Sequence, residues 1–270
     1  MVLMQKIGEL LKLSGKTAIV TGGGVGIGYG IAYRLAEAGA NVVIATRSEQ
    51  EGLDAAKKLS AMGWKVSAVT TDVSREEDVK RMVSETVRIY GGIDILVNNA
   101  GVYPEIPLKN MTLDDFQKVL SINLNGVFLC TKYASEQMIK QGHGGRIINV
   151  TSIDALHPSS VGLAHYDASK HGVWGFTKNI ALELAPFNIW VNAIAPGGIL
   201  TPGVQKMMQS VPVPGGVDQQ KMLEGFMAKI PMKRLGDPDD IGKAALFLAS
   251  EMSSYMTGTQ IVIDGGVLLM

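Results

Sequence analysis

The chain has 270 residues, of which 46% are hydrophobic and 19% charged, with Lys plus Arg equal to Asp plus Glu at 25 each. This balance leaves no global field to attract nucleic acid or an anionic membrane, and the length suits one large α/β domain or two small ones. A single cysteine, Cys130, excludes an intrachain disulfide, and the four histidines show no zinc spacing. No metal is assigned, and a reducing, cytoplasmic setting is expected.

The first sixteen residues, MVLMQKIGELLKLSGK, lack the apolar run and cleavage site of a signal peptide, so 1–14 read as a short amphipathic extension. No apolar run approaches the roughly 18 residues of a spanning helix, so no membrane contact is expected. Strands are predicted at Thr17–Thr21, Asn41–Thr46, Lys65–Thr71, Ile93–Val97, Arg146–Thr151, Ile189–Ile194 and Thr259–Ile263. Most are nearly all apolar, as in strands covered on both faces. Between them Ile31–Ala38, Gln50–Ala61, Glu76–Tyr90, Leu113–Lys140 and Tyr166–Ala185 repeat apolar residues at three and four. Alternating strand and helix predicts a single α/β domain over 1–270, a doubly wound parallel sheet of seven strands with helices on both faces. Residues 201–236 break the rhythm. There VPVPGG, with Met207, Met208, Met222, Met227 and Met232 about it, predicts two short helices forming a substrate-binding lid with a soft apolar surface.

Three patterns point to chemistry. The first strand runs into TGGGVGIG, with Gly22, Gly26 and Gly28 ahead of a helix expected to begin near Tyr29. Glycines let the backbone approach a pyrophosphate, and a helix N-terminus offers it free N–H groups. The second strand ends in Thr46 and Arg47, where an acidic residue would select a free ribose 2′-hydroxyl and an arginine accommodates a 2′-phosphate. NADP(H) is therefore favoured, with NAD(H) possible. Finally, Tyr166 alone of the seven tyrosines has a lysine, Lys170, four positions on. That spacing stacks both on one helix face. A neighbouring ammonium favours the phenolate, and a fall of about three pKa units needs about 4 kcal/mol.

These patterns occur in order with Asp72-Val73, NNAG at 98–101, Asn123, Ser152 and PGGILT at 196–201. Over about Gly15 to Gly266 the set resembles the short-chain dehydrogenase/reductase family, which implies a Rossmann-type fold and an NAD(P)-dependent oxidoreductase acting on CH–OH groups. The resemblance implies that Gly22, Gly26, Ile27 and Gly28 cradle the pyrophosphate, and that Asp72 bonds the adenine amine with Val73 packed nearby. Asn99, Ala100 and Gly101 would line the strand end, and Pro196, Gly197, Ile199 and Thr201 would hold the nicotinamide. Ser152 would donate to the substrate carbonyl while Tyr166 supplies the proton. Lys170 would lower the Tyr166 pKa and bond the ribose, and Asn123, rather than Asn125, would hold a water in a proton relay. It also implies a homotetramer, built through Leu113–Lys140 and Tyr166–Ala185.

The substrate is a small alcohol or carbonyl compound whose recognition is expected in 153–165 and the lid. Asp154 and His157, close to Ser152, would bond sugar or polyol hydroxyls, a layout that resembles glucose dehydrogenase members of the family; alternatively they bond one another or the loop backbone. The Met-rich lid would equally suit an alicyclic, aromatic or steroid-like ketone, as in carbonyl reductase members. A 3-ketoacyl thioester reductase is an alternative weakened by the scattered charge of Lys206, Lys221, Lys229, Lys233 and Arg234. A non-catalytic cofactor-binding regulator on the same fold is the rival outside enzymology.

Overall fold

The apolar strands pair side by side in one all-parallel sheet of order β3-β2-β1-β4-β5-β6-β7. The structure is a computed structural model that describes residues 4–210 and 227–270. The strands are β1 (Thr17–Thr21), β2 (Asn41–Thr46), β3 (Val66–Thr70), β4 (Ile95–Asn98), β5 (Gly145–Val150), β6 (Ile189–Pro196) and β7 (Gln260–Ile263). The helices are α1 (Ile7–Leu10), α2 (Gly26–Glu37), α3 (Glu49–Ser60), α4 (Glu76–Tyr90), α5 (Leu113–Leu120), α6 (Gly126–Gln141), α7 (Ala164–Leu184), α8 (Pro202–Ser210) and α9 (Pro238–Ala249). This is the Rossmann-type doubly wound plan. The chain reverses its direction of growth between β1 and β4, the place where such sheets bind ligands.

Every residue of β1 and β4 is buried, because both faces are covered. Ile31 and Leu35 of α2, Leu59 of α3 and Ile241 and Leu248 of α9 pack on one face with Val20, Ile44 and Ile148. Val79 and Met82 of α4, Cys130 and Met138 of α6 and Leu184 of α7 pack on the other with Ile19, Leu96 and Ile147. Thr112 and Asp115 form a capping box that starts α5, and Asp237 and Asp240 form another at α9. Among the described residues no helix is long and apolar enough to cross a membrane.

Two expectations need correction here. The first long helix begins at Gly26, not near Tyr29, so Gly26 and Gly28 lie in its first turn. The segment expected as one helix from Leu113 is interrupted by a π-helical turn at Ser121–Asn125. A π-turn adds a residue to the helix and changes which side chains face the core. Asn123 is fully buried there, whereas Asn125 is exposed.

Candidate active site

β1 enters the glycine turn directly. Gly22 has a φ of +63°, and a Cβ at Gly28 would lie only 2.1 Å from the Gly22 carbonyl oxygen. Hydrogen alone fits where α2 crosses the end of the strand. Asn99 braces this turn, donating from Nδ2 to the Thr21 and Gly22 carbonyls at 2.9 and 3.2 Å. Its own N–H and that of Ala100 donate to Thr21 Oγ1 at 3.0 and 3.1 Å.

Beside the turn lies a cavity of about 140 Å³, whose lining includes Gly22, Thr46, Arg47, Asp72, Val73, Ala100 and Gly101, together with the unexpected Ala45, Thr71, Val102 and Ile122. The first seven of these were expected at a dinucleotide site. The Asp72 carboxylate accepts from the Ser74 N–H and hydroxyl at 3.0 and 2.6 Å, which fixes its position at the rim. A Cβ at Gly26 would touch Thr201 Cγ2 at 3.2 Å, so the segment after β6 closes on the glycine turn. Pro196 ends β6, Gly197 donates to the Ile263 carbonyl at 2.9 Å, and Thr201 Oγ1 accepts from the Val204 N–H at 3.2 Å as α8 begins. The side chain of Ile199 is buried in the apolar core and that of Ile27 packs against it. A turn that excludes every side chain, beside a polar cleft at a helix N-terminus, fits the phosphates and adenosine of a nicotinamide dinucleotide.

A second group of side chains meets the carboxyl ends of β4 and β5. Tyr166 and Lys170 lie one turn apart on α7, with Lys170 Nζ 5.6 Å from the Tyr166 ring centroid. Lys170 Nζ also donates to the Val150 carbonyl at 2.8 Å. Burial pulls the Lys170 pKa down to about 8, against the opposing attraction of Asp154. Asn123 accepts at Oδ1 from the Val102 N–H at 2.8 Å and donates from Nδ2 to the Val102 carbonyl and Ser169 Oγ at 2.9 and 3.1 Å. Both amide protons are used, and one Oδ1 lone pair remains. A Cβ at Gly101 would lie 3.3 Å from Asn123 Oδ1 and 3.7 Å from Lys170 Nζ. The end of NNAG, the π-turn and the lysine thus converge.

Ser152 follows β5 and is buried. Its hydroxyl donates to Asp154 Oδ2 at 2.7 Å and accepts from the Asp154 N–H at 3.2 Å. The other Asp154 oxygen accepts from the Ser159 N–H and hydroxyl at 3.0 and 2.5 Å. His157 is exposed, and its Nδ1 meets the Pro158 carbonyl at 3.0 Å. Both residues thus bond their own loop, the alternative the sequence also offered, and not one another.

The Tyr166 phenol also departs from expectation. Burial drives its pKa upward; a hydrogen bond with Ser152 opposes this, and the charges of Asp154, Tyr103 and Asp167 add to the rise. A spacing of four brings tyrosine and lysine onto one face but does not set the dielectric around them. The Lys170 ammonium is directed at Val150, while the carboxylate of Asp154 stands near the phenol.

Of the expected lid, α8 is one helix, Met232 is exposed and Ile230 is buried. VPVPGG, Met222 and the side chains of Met207 and Met208 lie outside the described residues. Sequence reasoning overlooked Tyr103, whose ring stands edge-on to Tyr166 at 6.1 Å between centroids. Its hydroxyl lies 3.2 Å from where a Cβ on Gly203 would sit, so it bridges the site and α8. An aromatic two residues past NNAG was the available signal.

A family model described as enoyl-(acyl carrier protein) reductase matches residues 23–268. The chain is 41% identical to the short chain dehydrogenase/reductase astE of Aspergillus oryzae, over 97% of its own length and 98% of that relative's. This chain belongs to the short-chain dehydrogenase/reductase family. A crystal structure of a short-chain type dehydrogenase/reductase from Mycobacterium marinum superposes with a TM-score of 0.89 at 36% identity, covering 97% of this chain and 99% of that one. The 3-oxoacyl-(acyl-carrier-protein) reductase FabG of Aquifex aeolicus is 38% identical over 95% of this chain and 99% of its own. Short-chain dehydrogenase/reductases are oxidoreductases that use NAD(P)(H), and this chain shares that general chemistry.

Proposed function

We propose that this protein interconverts a secondary alcohol, a sugar or polyol hydroxyl included, and the corresponding carbonyl, with NADP(H) preferred over NAD(H). The observation that carries the reading is the convergence of Tyr166, Lys170, Ser152 and Asn123 beside the glycine turn. Gly22, Gly26, Ile27 and Gly28 would hold the pyrophosphate, Thr46 and Arg47 the adenosine ribose and its phosphate, and Asp72 and Val73 the adenine. Asn99, Ala100 and Gly101 shape the floor, and Pro196, Gly197, Ile199 and Thr201 would hold the nicotinamide. When bound, the dinucleotide supplies or accepts the hydride.

The protein's own part is placement and proton transfer. Tyr166 gives a proton to the forming alkoxide in reduction and takes one from the alcohol in oxidation. Lys170, with a pKa near 8, stays mostly cationic at neutral pH and can stabilise the phenolate. Ser152 fixes the reacting oxygen, and Asn123, in the π-turn, would hold a relay water near the lysine through its remaining lone pair. The exposed Phe128 of α6 and Leu182 of α7 support a homotetramer built on those helices.

A second reading, reduction of a 3-ketoacyl thioester, is favoured by the likeness to FabG of Aquifex aeolicus. Against it, two cations that could greet an acidic carrier are engaged within the chain: Arg234 pairs with Asp240, and Lys233 donates to the Ala228 carbonyl. Non-catalytic regulation on the same fold leaves the tyrosine, lysine, serine and asparagine without a task. The test is a panel of sugars, polyols, cyclic alcohols, ketones and a 3-ketoacyl thioester, assayed with both nicotinamide cofactors. Turnover of a free alcohol or ketone with NADP(H) supports the proposal, turnover of the thioester alone replaces it with the second reading, and no turnover of any kind favours the regulator.

A further inference from the structure

Tyr103 stands on a loop that is pinned on both sides of it. The Val102 N–H donates to Asn123 Oδ1 at 2.8 Å, and the Val102 carbonyl accepts from Asn123 Nδ2 at 2.9 Å. Beyond the tyrosine, the Ser160 hydroxyl donates to the Glu105 carboxylate at 2.9 Å and the Ile106 N–H donates to the Gly162 carbonyl at 2.9 Å. The loop after β4 and the loop before α7 are thus tied into one wall beside Tyr166. Between the ties, the Tyr103 ring meets the Tyr166 ring at 6.1 Å between centroids and an interplanar angle of 65°. Aromatic rings attract in this edge-on arrangement. The Tyr103 hydroxyl reaches the first turn of α8, where a Cβ at Gly203 would lie 3.2 Å from it. Glycine is a poor helix former, and here it leaves room for the phenol. Held in this way, the ring is still 45% exposed, and it keeps a surface open beside the reacting hydroxyl.

Polar groups of the same wall bond one another. Both Asp154 oxygens accept from the loop, the Ser160 hydroxyl is taken by Glu105, and His157 Nδ1 meets the Pro158 carbonyl. Leu156 and Val161, by contrast, are exposed. A polyol would need a partner for each hydroxyl it desolvates, and a hydroxyl buried without one is costly. A hydrocarbon ring needs only apolar area and an aromatic surface to lie against. With the reacting oxygen at Tyr166 and Ser152, one carbon substituent is left to lie along the adjoining ring. We propose that Tyr103 is a specificity-determining residue whose ring receives the flat or cyclic apolar flank of the substrate, which makes that substrate an aryl or alicyclic secondary alcohol, or its ketone, and not a polyol. This rests on the reading of the Tyr166 site as an alcohol–carbonyl oxidoreductase, and it narrows the substrate class left open there.

Two measurements on the full chain test the proposal. The first is kcat/KM for oxidation of 1-phenylethanol, cyclohexanol, isopropanol and sorbitol with each nicotinamide cofactor. Wild type is expected to favour the two cyclic alcohols over isopropanol by about tenfold or more, with sorbitol last. Tyr103→Ala is expected to lose about tenfold on the cyclic alcohols, chiefly through KM, and about threefold or less on isopropanol, whereas Tyr103→Phe keeps the cyclic preference. An equal loss on every alcohol makes Tyr103 a loop brace and overturns the proposal, as does a wild-type preference for sorbitol. The second needs no turnover. Acetophenone is titrated by calorimetry into protein saturated with NADP+ or NAD+, a pairing in which both partners are already oxidised and no hydride can move. Binding that Tyr103→Ala weakens about tenfold and Tyr103→Phe preserves supports the proposal. Absence of binding to wild type, or equal binding by all three proteins, overturns it. If Tyr103→Ala fails to fold, Tyr103→Leu removes the ring, keeps apolar bulk and gives the same comparisons. A wild-type chain that binds acetophenone through Tyr103 but turns over no alcohol refutes the oxidoreductase reading and leaves the ligand class of the ring standing.

Discussion

Lys170 Nζ donates to the Val150 carbonyl oxygen at 2.8 Å, which ties α7 to the carboxyl end of β5 and buries an amine beside Tyr166. The bond fixes the lysine, but burial opposes its charge, and this has a consequence for stability. The folded pKa of about 8 lies below the unfolded value of about 10.4. Between those values the unfolded chain holds more protons, so the contribution of Lys170 to stability rises with pH across that window.

Replacing Lys170 by Met removes this pH dependence. Relative to wild type, the variant is expected to lose about 3 kcal/mol of stability as pH rises from 7 to 10.5, added to a constant offset from the lost bond to Val150. Urea unfolding of both proteins at several pH values measures it, and parallel curves would show that the amine is not a buried cation.

Gly28→Ala places a methyl group where the Gly22 carbonyl already stands. Overpacking of this kind costs about 1–3 kcal/mol. Because the turn itself must shift, dinucleotide affinity is expected to fall with stability. Thermal unfolding and NADPH fluorescence titration of the same preparation check both.

Arg47 is exposed at the end of β2 and lines the cavity that Gly22 and Asp72 share. Arg47→Ala is expected to weaken NADPH binding about tenfold, equivalent to about 1.4 kcal/mol, and to change NADH binding little. Equal losses for both cofactors would contradict the reading of Arg47 as the partner of a 2′-phosphate.

Much of the architecture was written locally. The spans of β1, β2 and α4 were read to the residue, because an apolar run or an amphipathic period ends there at a sharp change of polarity. Gly22, Thr46, Arg47, Asp72, Val73, Ala100 and Gly101 were legible at the cavity because they sit in glycine-rich or strand-end motifs, whereas Val102 and Ile122, which also line it, lie outside them. The π-turn was not, since SINLN has ordinary helical composition and the extra residue shows only in hydrogen bonding. The engagement of Asp154 by Ser159 depends on how an irregular loop closes, which no periodicity records. The direction of the Tyr166 shift depends on burial and on charges from other elements, whereas spacing along α7 reports Lys170 alone.

The central claim is that the Tyr166 hydroxyl carries the proton exchanged with substrate. The direct test is steady-state turnover by Tyr166→Phe with the best substrate of the panel, paired with NADPH fluorescence titration. The account predicts a fall in kcat of about 10²–10⁴-fold, with cofactor affinity within about twofold of wild type. Undiminished turnover in the phenylalanine variant would contradict it.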